Sequence, residues 1–173
     1  ITGVPGVLSR RIDPRHSTVM VWGAVNAGVA ANAIPQIGTL AGTLRTASRE
    51  TWLTLEDIVR ETISSLLAPL GIEHMLQYER GVPPVVNEEV STRIITHAVE
   101  AIGPEVLADT LQSGGGEDFS WYLEEVPGAM ARLGTWSGHG PQLDLHQPTF
   151  DLDERALGVG VRLLVNLIDN ALL

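Results

Sequence analysis

The chain has 173 residues, 44% of them hydrophobic and 18% charged, with a formal net charge of −10. Such acidity excludes broad contact with nucleic acid or an anionic membrane, because both demand basic surface. No cysteine is present, which excludes disulfides and thiolate metal sites and leaves His, Asp and Glu as metal ligands.

The length suits one ordinary domain or two small ones. Residues 1–12 read as a short apolar segment, broken by Pro5 and Gly6, that resembles the end of a helix. Thr18–Val25 and Thr39–Thr46 read as strands, with Gly38 and Gly42 marking a bulge or bend. Asn32-Ala33-Ile34-Pro35 breaks the chain between them. The weakly charged stretch from Thr18 to Gly42 holds too many Asn, Gln, Pro and Gly residues to form a membrane helix. Arg49–Leu70 is a predicted helix, with Trp52, Leu55, Val59, Ile63, Leu66 and Leu70 at helical spacing. Ser48 is its N-cap and Gly71 its C-terminal stop. His74–Arg80 alternates, with His74, Leu76 and Tyr78 on one face, as a third strand would. Strand, strand, helix and strand predict a two-layer α+β unit.

Gly81-Val82-Pro83-Pro84 is the candidate linker, since paired prolines impose an extended crossing without ladder bonds. Beyond it the pattern predicts a helix over Glu88–Ile102 capped by Asn87, a short helix over Asp118–Glu125 and a strand over Gly128–Gly134. The last predicted helix, Leu152–Leu173, buries Leu157, Val161, Leu164, Ile168 and Leu172 and starts in a capping box of Asp151 and Glu154.

Three places carry residue types suited to chemistry. Gly114, Gly115 and Gly116 open directly onto Glu117, Asp118 and Phe119, a turn able to present backbone N–H groups at a helix start. Glu117 and Asp118 suit a supporting role beside a site, or simply complement the helix dipole. His146 is the leading metal-ligand candidate, with Asp144 placed to orient its second nitrogen. Spacing alone favours a strand-end histidine that serves structure, and one histidine is no site, since zinc takes three or four protein ligands. His139 lies in an exposed glycine loop and reads as incidental. Asn32 and Arg45 would emerge at one end of a sheet if their segments are adjacent strands, and Arg offers a fork for a carboxylate. The bland alternative is a turn Asn and a solvated Arg.

Several of these segments, in order, carry a resemblance. They are Asn32-Ala33-Ile34-Pro35, Gly42-Thr43-Leu44-Arg45-Thr46, Pro83-Pro84-Val85-Val86-Asn87, Gly115-Gly116-Glu117-Asp118-Phe119, Val126-Pro127-Gly128-Ala129 and Leu145-His146-Gln147-Pro148. The chain resembles the C-terminal half of the M20 metallopeptidases, in the amidohydrolase branch of aminoacylases, hippurate hydrolases and auxin-conjugate hydrolases. The resemblance implies that residues 1–80 are an incomplete lid and dimerisation domain. Residues 81–173 would then be the closing part of an α/β zinc-hydrolase catalytic domain. It implies His146 as a metal ligand, and Asn32, Arg45 and the Gly114–Gly116 loop as substrate-binding elements. The metal would be zinc, manganese or cobalt, the substrate a small N-acyl amino acid or peptide-like amide, and the assembly a homodimer. The family's other metal ligands and its general base lie in a half that this sequence does not contain, so no catalytic residue is expected in this segment. A non-catalytic dimerisation or ligand-binding module is the rival reading. No signal peptide is visible, and a cytoplasmic location is expected.

Overall fold

The computed structural model describes residues 1–143 and 145–171. Asp144 and Leu172, to which the sequence assigned a ring-orienting role and a buried position, lie outside the described residues. The chain divides into two units, Ile1–Val85 with Gln112–Trp121, and Val86–Leu111 with Tyr122–Leu173.

In the first unit, helix α1 (Gly3–Arg11) is continuous through Pro5 and Gly6. Pro5 falls in the first turn, where backbone N–H groups have no intrahelical acceptor, so its missing donor costs nothing there. Val4, Leu8 and Ile12, four residues apart, form a buried stripe. Strands β1 (Val19–Ala27) and β2 (Gly38–Arg45) pair antiparallel, Val19 opposite Arg45 and Ala27 opposite Gly38. The register slips between Trp22 and Ala24, so the bulge lies on β1 at Gly23 and not at Gly38 or Gly42. Gly42 instead makes room: a Cβ there would lie 2.6 Å from the Val21 carbonyl oxygen and 2.8 Å from the Trp22 ring. Alternation sends Met20, Trp22 and Leu44 toward the helices and leaves Val19 and Val21 exposed.

Helix α2 (Arg49–Leu67) starts at Ser48, whose hydroxyl accepts from the Thr51 N–H. Leu55 and Val59 pack against Val4, Leu8 and Ile12, with Ile63 and Leu66 at the margin. The expected last turn tightens into a 3₁₀ turn over Ala68–Leu70, ended by Gly71 at φ 65°, and Leu70 is exposed. Residues 74–80 form no strand. Leu76 and Tyr78 reach the core as the alternation required, but no neighbouring backbone among the described residues completes a ladder. Burial pushes the Tyr78 phenol up.

In the second unit, α3 (Glu89–Glu100) is capped by Glu88, not Asn87. Both Glu88 carboxylate oxygens accept backbone N–H groups, from Val90 and Ser91 at 2.7 Å, and these bonds lower its pKa. Asn87 is committed elsewhere: its amide donates to the Met130 carbonyl and accepts from the Met130 N–H, both at 2.9 Å. With Glu88 N–H on the Gly128 carbonyl, this pairing replaces the strand expected at 128–134 by two isolated ties. Helix α4 (Phe119–Glu125) is short, as expected.

Helix α5 (Arg155–Ala171) packs on α3 through the face opposite to expectation. Leu157, Val161, Leu164 and Ile168 are 60–64% exposed, while Ala156 is buried and Val159, Gly160, Leu163, Asn166 and Leu167 are partly covered. The helix carries two apolar stripes, and the one with small residues allows close approach. Asn166 donates to the Ala98 carbonyl across the contact. The N-terminal carboxylate is Asp153, not the Asp151–Glu154 pair: it accepts the Arg155 N–H at 3.0 Å and the Arg155 Nε–H at 2.8 Å. These bonds hold the Asp153 pKa at about 2.

Two outcomes follow. Leu55→Ala is expected to cost about 2–5 kcal/mol and Gly42→Ala about 1–3 kcal/mol in urea unfolding, the first by leaving a cavity and the second by overpacking Trp22. Because the Asp153 pKa is depressed in the folded chain, its contribution is full above the ordinary carboxylate pKa of 3.8 and fades as pH falls toward 2. Asp153→Asn should flatten that part of an acid-unfolding profile followed by circular dichroism, and an unchanged slope would remove Asp153 from the account.

Candidate active-site segments

In the first unit the glycine loop lies beside the end of β2. Arg45 donates from Nη1 to the Gly114 carbonyl at 2.7 Å. The Ser113 hydroxyl accepts the Gly115 N–H at 3.1 Å, and Gly116 sits so near Val82 that a Cβ would lie 3.0 Å from it. Ser120, fully buried, donates its hydroxyl to the Glu117 carbonyl at 2.6 Å and so fixes the first turn of α4. The side chains of Glu117 and Asp118 are exposed there, near the positive end of the helix.

An aromatic cluster pins the same segment. Trp121 meets Trp52 edge-on, with ring centres 6.0 Å apart at 76°. Arg80 lies 5.2 Å over the Trp52 ring, and the Trp52 indole donates to the Gly81 carbonyl. Sequence reading placed Trp52 in the helix stripe and missed this role; the aromatic pair 52 and 121 offered no signal in spacing.

Arg45 and Asn32 do not meet. Arg45 pairs with Val19 at one end of the ladder, whereas Asn32 sits in the exposed connection 28–37 beyond the Ala27–Gly38 end. At about 3.4 Å per residue, β2 alone separates those ends by roughly 24 Å. Adjacent strands therefore carry the two side chains to opposite ends of the sheet, because a hairpin connection and the far strand terminus cannot share one edge.

In the second unit His146 occupies an exposed turn at φ 66°, a left-handed conformation that few residues with a Cβ adopt. A cavity of about 290 Å³ is lined by Trp136, His139, Leu143, Asp151, Leu152 and Asp153. His139 is among the residues lining this concavity, and His146 is not. Among the described residues no three His, Asp or Glu side chains come together as a metal site.

Residues 4–170 match the model of peptidase family M20/M25/M40. The chain belongs to that family. A putative glutamate–cysteine ligase 2-3 of Rhodococcus jostii is 56% identical over 168 residues, which is 96% of this chain and 21% of that protein. N-acetyl-L-cysteine deacetylase of Bacillus subtilis is 30% identical over 157 residues, covering 91% of this chain and 36% of the relative. The solved YXEP protein of Bacillus subtilis, a dinuclear metal binding peptidase from the M20 family, superposes with a TM-score of 0.79 at 26% identity. That superposition covers 96% of this M20 chain and 43% of the solved one. The mixed α/β architecture is therefore the M20 fold, and this sequence spans less than half the length of each of these relatives. No described helix is long and apolar enough to cross a membrane.

A zinc centre takes three or four protein ligands, and among the described residues no group of three or more His, Asp or Glu side chains is placed to hold one. The 173-residue chain is accordingly expected to bind zinc without tight stoichiometry. Isothermal titration calorimetry checks this, and a one-to-one site of submicromolar affinity would show that the chain completes a centre by itself.

Proposed function

We propose that this chain forms part of a metal-dependent amidohydrolase that cleaves N-acyl amino acids, with N-acylcysteine as the first substrate class to test. The observation that carries the reading is family membership over 4–170, together with a deacetylase among the relatives. N-acetylcysteine deacetylases stand among the relatives beside N-acetyldiaminopimelate deacetylases, and the former supply the amino-acid part tested first. The ligase shares only 21% of its length with this chain, so its name carries no ligase activity to this segment.

In this reading residues 1–80 serve as the lid and dimerisation domain, and residues 81–173 close the catalytic domain. His146 contributes one ligand to zinc or a similar divalent ion, completed by residues from outside this segment. Arg45 binds the substrate carboxylate, Asn32 binds substrate from its hairpin connection, and the Gly114–Gly116 loop lines the pocket with Glu117 and Asp118 behind it. The ladder separation of Asn32 and Arg45 favours a homodimer in which one copy's Asn32 and the other's Arg45 serve the same site. The segment alone carries out no hydrolysis. The rival, a non-catalytic module, is favoured only by the lack of a ligand cluster among the described residues.

The test uses a protein of the relatives' length that contains this segment, assayed on N-acetyl-L-cysteine. His146→Ala is expected to lose metal and nearly all turnover with the fold intact. Arg45→Ala should keep its metal and lose about 1.5–3 kcal/mol of transition-state stabilisation, the worth of a charge-assisted hydrogen bond. Unchanged metal content in His146→Ala would return that histidine to a structural role. Absence of any amidase activity in the metal-loaded wild type would favour the non-catalytic module.

A further inference from the structure

The Gly114–Gly116 loop has little of its own to hold it. A side chain added at Gly114 would meet nothing within 4 Å and one at Gly115 only the Ser113 hydroxyl, while Gly116 alone abuts another side chain, that of Val82. Consecutive glycines have the greatest backbone freedom of any sequence, so such a loop takes its shape from outside contacts. Among the described residues, the one hydrogen bond reaching this loop from a distant part of the chain is that of Arg45 to the Gly114 carbonyl, across 69 positions. Its donor is rigidly based, since Arg45 ends β2 and is paired with Val19. The bond is charge-assisted, which makes it stronger than a neutral one. It uses Nη1 alone. The Nε and Nη2 edge makes no hydrogen bond among the described residues, and it is an edge that takes a carboxylate bidentately.

We propose that Arg45 is the positioning residue of the glycine loop, and that capture of a carboxylate on the free edge of its guanidinium is coupled to the loop through Gly114. A ligand that immobilises the guanidinium also immobilises the carbonyl it holds, so the two sites share one ordering cost. The positioning stands on the contact itself; only the coupling rests on the amidohydrolase reading.

Backbone ¹⁵N relaxation of this chain tests both. In the wild type, order parameters at Ser113–Gly116 should lie near the rigid value of about 0.85, and in Arg45→Ala they should fall below about 0.6 with β1 and α2 unchanged. Arg45→Lys keeps a donor for Gly114 but lacks the fork, so it should retain most of the loop order. Millimolar N-acetyl-L-cysteine should then shift the Gly114–Gly116 amide resonances in the wild type and leave those of Arg45→Lys in place. Loop order in Arg45→Ala equal to the wild type overturns the positioning role; if that variant loses its fold, equal loss of loop order in a folded Arg45→Lys overturns it instead. A probe that moves the loop resonances equally in wild type and Arg45→Lys, or in neither, overturns the coupling. Failure of the amidohydrolase reading would show separately, as absent turnover in a protein of the relatives' length with the loop data unaltered.

Discussion

Leu55 and Val59 on α2, packed against Val4 and Leu8 on α1 and Ile12 at its C-terminal cap, are the contact on which the first unit depends. Among the described residues the two-stranded sheet has no third strand to stiffen it, so its inner residues Met20, Trp22 and Leu44 take their place by lying on that helical pair. Arg45 inherits its position from the same packing, because β2 is fixed at Leu44. Trp52, one turn before Leu55, inherits its own from α2, and with it the seat for Trp121 and Arg80. A small apolar cluster thereby places nearly every residue of interest in that unit.

Elsewhere the chain substitutes single polar ties for regular structure. Asn87 holds Met130 by both ends of its amide, much as a neighbouring strand would. Arg132 holds Thr110 and the Leu111 carbonyl, and Arg45 holds Gly114. Each of these joins a segment that lacks ladder or helix bonds of its own, which is where an unpaired backbone group is costly. The pattern also explains why motif segments distant in sequence, such as Asn87 and Gly128, end up adjacent.

Periodicity in the sequence located α2, both paired strands and the short α4, since each has a single apolar face or a firm cap. It misled where two answers were equally apolar, as in α5, whose packed stripe is set by the small residues Ala156 and Gly160. Pro5 looked like a break because its tolerance depends on where the helix starts. Residues 74–80 alternated correctly, yet a strand also needs a partner, which no local pattern encodes. Of the site, the closeness of Arg45 to Gly114 and the separation of Arg45 from Asn32 both arise from register and return paths, and neither could be read from spacing. Family membership was legible because it rests on the order of motifs and needs no geometry.

The Trp52–Trp121 contact has an optical consequence. Two indoles at 6.0 Å and 76° are a fixed, chiral pair of chromophores, and they account for half of the four tryptophans in the chain. Near-ultraviolet circular dichroism, which depends on fixed aromatic packing, therefore carries a contribution that reports whether Trp121 is seated on Trp52 of α2. Far-ultraviolet signal follows helix content instead. The two bands would part company whenever Trp121 lifts away, giving this chain a built-in gauge of a rearrangement that leaves every helix whole.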